Sequence, residues 1–214
     1  MANPFYYDSK VMRFGAKVTD LLLLQLVTVL CCLPVITVGT AFTAMHTVLL
    51  KMYRRQDPSV FSEYFKAFKA NFKQSTIVWL IYLAVFAFLL ADWILLLQIP
   101  DPNVKDTAYL LLIPLFLVLL SLCWVFVLIS RYQNSIWQTV KNSLTLVFRY
   151  PLRTLSMLVL LTLPIWVFYL SIHSFPFLLL MGISVPGFLR TIVYSPIFDQ
   201  LENTNWREEQ AKEQ

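Results

Sequence analysis

Four long stretches of this chain contain almost no charged residue. They cover Leu21–Leu50, Gln74–Ala91, Thr107–Ser130 and Thr154–Leu189, and the second continues past Asp92 to Ile99. An α-helix needs about 20 predominantly apolar residues to cross the hydrocarbon core of a bilayer. Each stretch is therefore long enough for at least one crossing, and the sequence predicts an all-α, polytopic membrane helical bundle.

The composition agrees with this prediction and excludes other classes of protein. Hydrophobic residues make up 58% of the 214 residues, and charged residues make up 14%. Soluble domains are about half apolar and about one quarter charged. A chain of this size cannot hide such an apolar excess in one core, and it is too hydrophobic to be disordered. A soluble globular enzyme and a disordered chain are both excluded.

The charged residues predict how the chain is threaded through the membrane. The net charge is +5, but the basic residues stand in short groups at the ends of apolar runs, and we expect no nucleic-acid partner. Lys and Arg are enriched in cytoplasmic loops. If Leu21–Leu50 returns to the side on which it starts, sixteen of the seventeen basic residues face the cytoplasm and Lys105 alone lies outside. Both termini are then cytoplasmic.

The first apolar stretch is interrupted by Pro34 and Gly39. We expect two helical arms around this break, Leu21–Leu33 and Thr40–Leu50, in an N-terminal helical hairpin over residues 18–50. The length of the stretch leaves open whether the hairpin is re-entrant or made of two short spans. Broken helices form substrate sites in several transporters. A Pro/Gly break also simply lets a hairpin turn, and the sequence does not decide between these interpretations.

Two further stretches are amphipathic. Ser59–Gln74 and Arg131–Arg149 carry apolar residues at spacings of three and four on one face and polar residues on the other. Helices with this pattern lie in the headgroup region, so we expect two inner-leaflet amphipathic helices. Thr154–Leu189 is too long for one helix, and Ser174–Pro176 offers a turn near its middle. The predicted total is five or six membrane segments.

The first amphipathic stretch contains a candidate docking face. Its aromatic and basic residues are Phe61, Phe65, Phe68, Lys66, Lys69 and Lys73. Aromatic residues beside lysines suit a helix that is anchored in the inner leaflet. The same residues suit a helix that binds in the groove of a partner protein. Both interpretations stay open.

The organisation predicted from these patterns is one integral membrane domain over residues 1–214. The hairpin at 18–50 is followed by two similar units, at 59–130 and 131–197, and each unit is an amphipathic helix with a pair of spans. A cytoplasmic tail is expected at 198–214. The two units have the same orientation, as in the parallel repeats of some transporters.

No catalytic motif is present. The sequence lacks the hydrolase, zinc-protease, Walker and dinucleotide-binding signatures, and it contains four glycines in all. The adjacent Cys31 and Cys32 fit neither a redox pair nor a zinc site. We therefore expect no catalytic residue, no metal and no cofactor.

Two polar groups are expected at membrane depth. His46 is either a packing group or a proton relay, and Asp92 is either a ligand contact or an interfacial acid. Together with Pro34 and Gly39 they form the candidate polar membrane site.

Three blocks of the sequence resemble the YesL-like integral membrane proteins, a family of unknown function from Gram-positive bacteria. The blocks are LPVITVGTAFTAMHTVLLKMYRR (Leu33–Arg55), FSEYFKAFKANFKQSTIVWLI (Phe61–Ile81) and TVKNSLTLVFRYP (Thr139–Pro151). The genes of that family often lie beside genes for ABC-type carbohydrate importers and polysaccharide-degrading enzymes. The resemblance implies a bacterial cell membrane protein that assists the uptake of plant-derived oligosaccharides. It implies no catalytic or binding residue.

Two functions are consistent with these observations. The first is a non-enzymatic accessory protein of carbohydrate uptake, with the lipid bilayer and the subunits of an ABC importer as its partners. The second is an autonomous small-solute membrane transporter. The chain is not an ordinary importer permease, because neither amphipathic stretch contains the E-A-A…G loop that docks on the ATPase. The sequence leaves open whether the protein forms a homo-oligomer.

Overall fold

The fold was described from a computed structural model, which covers residues 10–54, 56, 59–99, 104, 108–132, 134–170 and 182–212. These residues form helices and no strand. The helices are α1 (Lys10–Cys32), α2 (Val38–Tyr53), α3 (Val60–Leu97), α4 (Leu112–Arg131), α5 (Ile136–Arg149), α6 (Pro151–Leu170) and α7 (Ser184–Lys212), with a short 3₁₀ helix at Val35–Thr37. The predicted all-α, polytopic helical bundle is confirmed.

Several of these helices are long and apolar enough to cross a membrane. Four segments of the described residues qualify. They are Gly15–Cys32 in α1, Val35–Tyr53 (the 3₁₀ helix with α2), Val60–Leu97 (α3) and Ala108–Arg131 (α4 with the residues before it). A fifth span is reached if α5 and α6 are counted as one, although they are bent by 106° at the break between them. These helices indicate a membrane protein. The turn predicted at Ser174–Pro176 lies outside the described residues.

The predicted hairpin at residues 18–50 corresponds to α1, the 3₁₀ helix and α2. Both helices extend beyond the predicted bounds, to Lys10 at one end and Tyr53 at the other. Leu24 of α1 shares a buried hydrophobic cluster with Val48 and Leu49 of α2. Because these residues lie at similar distances before and after the break, α1 and α2 fold back on each other.

The helix α3 corrects one prediction. Ser59–Gln74 was expected to form a separate helix, but it is the first part of a continuous helix of 38 residues, Val60–Leu97. The physical reason is that no Gly or Pro stands between Val60 and Leu97, so nothing interrupts the backbone hydrogen bonds where the amphipathic pattern becomes apolar. A helix of this length measures about 57 Å, whereas the hydrocarbon core is about 30 Å thick. Its charged first turns therefore extend beyond the hydrocarbon core.

The second amphipathic stretch does form a helix of its own. Ser135 caps the N-terminus of α5, where its hydroxyl accepts a hydrogen bond from the backbone N–H of Gln138 at 3.3 Å. The helix ends at Arg149, and Pro151 begins α6. Pro suits the first position of a helix because its missing N–H would have no partner there. Arg131, which was assigned to this stretch, is instead the last residue of α4.

The helix α7 runs through residue 198, where the cytoplasmic tail was predicted to begin. The boundary was placed at residue 198, but α7 continues without a break from Ser184 to Lys212. Phe198 is fully buried, in a cluster that also contains Trp124 and Tyr194. The first residue of the predicted tail therefore belongs to the bundle, because Tyr194, Ile197 and Phe198 form one apolar stripe at helical spacing, which packs on α4.

Ion pairs hold one end of the bundle together. Asp199 of α7 lies 3.1 Å from a guanidinium nitrogen of Arg54, which follows α2, and 3.7 Å from one of Arg131 in α4. Lys51 of α2 pairs with Glu63 in the first turns of α3. These pairs mark the polar end of the bundle.

Candidate functional site

The break at Pro34 and Gly39 is held in place by side chains on both sides of it. The Thr37 hydroxyl donates a hydrogen bond to the carbonyl of Cys31 at 2.6 Å. The indole N–H of Trp79 in α3 donates to the carbonyl of Val35 at 2.8 Å. Backbone groups freed by a helix break need partners at membrane depth, and the chain supplies them itself.

Gly39 lies where the backbone of α2 comes close to α3. A Cβ atom added there would lie 2.6 Å from the Cβ of Trp79, 2.8 Å from the carbonyl oxygen of Ser75 and 2.9 Å from the ring of Phe126. No side chain fits at these distances. The structure therefore gives Gly39 a packing role, in which its missing side chain lets two backbones approach closely.

Hydroxyl pairs continue this contact along α2. Thr43 and Ser75 share a hydrogen bond at 2.9 Å, and Thr40 and Thr76 share one at 3.0 Å. Thr40, Thr43 and Ser75 are buried. Buried hydroxyls cost free energy unless they are paired, so these pairs let polar residues hold α2 against α3. We call Gly39, Thr40, Thr43, Ser75 and Thr76 the α2–α3 seam.

His46 lies on another side of α2, against α7. Its side chain is 2% exposed, and its Nδ1 atom is 3.5 Å from the hydroxyl of Tyr194. The two rings meet edge to face, with centroids 5.8 Å apart. The Tyr194 hydroxyl also shares a hydrogen bond with Thr191 at 3.1 Å. The buried ring of His46 thus packs against Tyr194, and the Tyr194 hydroxyl connects it to Thr191, one turn earlier in α7.

Arg190 is a functional candidate that the sequence analysis missed. It was counted among the cytoplasmic basic residues because it directly follows an uncharged run, but it is only 3% exposed and is surrounded by helices. Within the described residues its guanidinium makes no hydrogen bond or ion pair, and its Nε atom is buried without a partner. A buried charge costs free energy unless it is paired, so an unpaired buried arginine is a functional-site hypothesis. A long apolar run that ends in one arginine gave no signal of this.

A cavity of about 210 Å³ adjoins Arg190, between α2, α6 and α7. Among the described residues its lining apart from Arg190 is apolar, with Phe42 from α2, Leu161 and Pro164 from α6 and Pro186 from α7 among the contributing residues. Cys123 of α4 and His46 and Tyr194 are close enough to Arg190 to interact with it electrostatically. We call Arg190, His46, Tyr194 and this cavity the Arg190 site.

Two long-range hydrogen bonds hold the start of α7, the helix that carries Arg190. The side-chain oxygen of Gln25 in α1 accepts hydrogen bonds from the backbone N–H groups of Ile183 at 2.9 Å and Ser184 at 2.7 Å. The first N–H groups of a helix have no partner within the helix. Gln25 is 1% exposed and supplies that partner from a distant part of the chain.

Asp92 lies away from these residues. It stands beyond Tyr82, the last buried residue of α3, and its own side chain is half-buried. It makes no hydrogen bond or ion pair with the residues that the structure describes. The predicted polar membrane site is therefore not one site. Gly39 lies in the α2–α3 seam, His46 lies in the Arg190 site, and Asp92 joins neither.

The candidate docking face is largely left exposed by the bundle. Phe61 is 50% exposed and Phe65 is 44% exposed, and all three lysines of the face are exposed as well. Phe68 differs, because it is half-buried, stacks on Tyr64 at a centroid distance of 6.2 Å and contacts the tilted ring of Phe72 at 5.7 Å. Tyr64 itself is fully buried and packs on α1 and α2. One side of the helix faces the bundle, and the docking face points away from it.

The first helices of the chain are similar to a family of known sequences. The model of a family described as "Protein of unknown function, DUF624" matches residues 20–93. These residues include the break, the α2–α3 seam, His46 and the docking face, and they end before α4. No curated protein and no solved structure matches the chain. Similarity to an uncharacterised family is thus limited to the first helices, and Arg190 lies outside it.

Proposed function

We propose that this protein is a non-enzymatic accessory protein of carbohydrate uptake, which binds an ABC-type importer of plant oligosaccharides through the docking face of α3. The observation that carries the proposal is the exposure of that face after the bundle has assembled. The carbohydrate importer as partner rests on the resemblance to the YesL-like proteins. The proposed location is the bacterial cell membrane, with both termini in the cytoplasm.

The aromatic residues of the docking face supply the apolar part of the contact. Exposed aromatic side chains are unusual on a soluble surface and are enriched at protein interfaces. Phe61 and Phe65 are one turn apart and lie on the same side of α3. Because the charged first turns of α3 extend beyond the hydrocarbon core, these rings are within reach of a neighbouring protein.

The charge of the docking face indicates the chemistry of the partner. Lys66, Lys69 and Lys73 are exposed, and Glu63 is the only acidic residue between Val60 and Ala91. Glu63 is paired with Lys51 of α2 and also lies near Lys66, so Lys69 and Lys73 keep their charge without an acidic neighbour on this part of the helix. The face is therefore complementary to an acidic surface on the cytoplasmic side of an importer subunit.

Affinity purification in mild detergent tests this proposal. The tagged full chain is isolated from its own host, grown on plant polysaccharide, and the co-purifying proteins are identified by mass spectrometry. We expect importer subunits in stoichiometric amount with the natural sequence. A variant with Phe65→Ala and Lys69→Ala loses at least nine tenths of them, because it removes an apolar and a charged contact together.

The matched control is Phe88→Ala, which removes an aromatic ring that is 71% exposed in the apolar part of the same helix. It should leave the complex intact. The proposal is overturned if importer subunits are absent, or if both variants retain them equally. Loss of membrane association by the double variant, with no importer recovered from the natural protein, would show instead that the face anchors the helix in the inner leaflet.

An autonomous small-solute transporter is the second candidate function. The observation that favours it is the charged side chain of Arg190 inside the bundle, next to a cavity. Flux into liposomes that contain the purified protein alone is the direct measurement. A protein that moves no solute under these conditions contradicts this candidate and leaves the accessory function standing.

A further inference from the structure

We propose that the Arg190 site binds a small organic acid, whose carboxylate pairs with the guanidinium of Arg190 and whose apolar part fills the adjoining cavity. No contact of the docking face enters this inference, so it does not rest on the proposed function. It follows from the charge of Arg190, from the groups around it, and from the size and lining of the cavity.

Arg190 keeps its positive charge although it is buried. An arginine side chain stays protonated in proteins, so burial cannot remove its charge as it can with a histidine or a carboxyl group. A buried charge persists when it is paired or hydrogen-bonded. Among the described residues Arg190 has no such partner, although 97% of its surface is covered.

The described groups that surround Arg190 supply no negative charge to pair with it. Among the described residues, the titratable groups near it are Cys123 from α4, His46 from α2 and Tyr194 from α7. None of them is an acid that ionises at neutral pH. Residues 171–181, between α6 and α7, contain no Asp or Glu either. The neighbourhood is thus built for an anion that comes from outside the chain.

The cavity beside Arg190 suits a small, mostly apolar ligand. Its volume of about 210 Å³ is below the range of about 300–1,000 Å³ that is usual for drug-sized ligands. Among the described residues its walls are formed by Phe42, Leu160, Leu161, Pro164, Ile165, Gly182, Ile183 and Pro186, which offer no side-chain hydroxyl or amide. A sugar would leave its hydroxyls unpaired there. An aromatic or short alkyl monocarboxylate satisfies both the charge and the apolar walls.

Benzoate and benzamide form a matched pair of probes, because they have nearly the same shape and differ in charge. The full chain is purified in a neutral detergent, and its Tm is followed as each probe is titrated. We expect benzoate to raise Tm in a saturable manner and benzamide to leave it unchanged. A ligand that binds the folded state alone stabilises it in proportion to the logarithm of its concentration above Kd.

Variants locate the binding. Arg190→Lys keeps a charge but loses the planar fork that pairs with a carboxylate, and it should raise Kd for benzoate at least tenfold. Leu161→Trp keeps Arg190 and fills the cavity, and it should abolish the shift in Tm. Arg149→Met, which removes an exposed arginine at the end of α5, is the matched control and should bind benzoate normally.

A second measurement covers variants that do not fold. Line broadening of 4-fluorobenzoate in ¹⁹F NMR reports binding to the natural protein, and unlabelled benzoate should restore the sharp line. The proposal is overturned if benzamide stabilises as well as benzoate does, or if Arg190→Lys and Leu161→Trp bind benzoate like the natural protein. It is also overturned if inorganic phosphate protects as strongly as benzoate, because the site would then select any anion and not an apolar acid.

Discussion

The helix α2 makes two contacts of opposite character. At the α2–α3 seam there is no space for one extra carbon atom beside Gly39, and the buried hydroxyls are paired. At the Arg190 site the same helix borders a cavity and a charged group without a partner among the described residues. Complete packing and pairing stabilise a fold, whereas an open, unpaired polar group is typical of a site that binds something. The contrast separates a structural contact from a functional one.

The largest expected effect is at the seam. Gly39→Val places a branched side chain where a single Cβ atom already lies 2.6 Å from Trp79. Overpacking of a core costs about 3 kcal/mol or more when the backbone has to move. We expect a lower free energy of unfolding by about that amount, measured by SDS titration in mixed micelles. Gly15→Ala is the control, since nothing lies within 4 Å of that position, and equal losses in both variants would contradict the packing role of Gly39.

The next effect has the opposite sign. Arg190→Met removes a buried charge and keeps most of the side-chain volume, so we expect the ligand-free protein to become more stable by about 2 kcal/mol. The measurement is the same titration, without any added organic acid. A variant that is less stable than the natural protein would show that Arg190 is already paired in the folded state, and the contrast between the two contacts of α2 would fail.

The smallest expected effect tests whether two hydroxyls of the α2–α3 seam stabilise each other. Thr43→Val leaves the Ser75 hydroxyl buried without its partner at 2.9 Å, and it should cost about 1 kcal/mol. When Ser75→Ala is added, both polar groups are gone, and the further loss should be smaller than Ser75→Ala causes alone. A double-mutant cycle measures this coupling. Strictly additive losses would mean that the two hydroxyls do not stabilise each other.

Sequence reasoning succeeded where the signal is local. The uncharged runs predicted the helices of the bundle, and Pro34 with Gly39 predicted the break between α1 and α2. The pattern of Arg131–Arg149 predicted an amphipathic helix, and Ser135 begins it. These features depend on hydrophobicity, on missing backbone donors and on helix capping, which act over a few residues.

The same reasoning failed where neighbours decide. A change of pattern near Gln74 was interpreted as the end of a helix, but such a change breaks no hydrogen bond, and α3 continues through it. Arg190 was counted among the basic residues that face the cytoplasm because it follows an apolar run, but its side chain is only 3% exposed and residues of α2, α4 and α6 lie close to it. Charge counting reports which residues are basic and does not report which of them become buried.

The sequence by itself determined that this protein is a helical membrane protein, because about 20 consecutive apolar residues have one stable arrangement in lipid. It also determined the break in the first hairpin. Only the tertiary structure decided that Gly39 is needed for contact with α3, that Gln25 caps a helix more than 150 residues away, and that Arg190 faces a cavity. Each of these depends on which helices are neighbours, and the local pattern of apolar residues, which is similar along the whole chain, does not specify that.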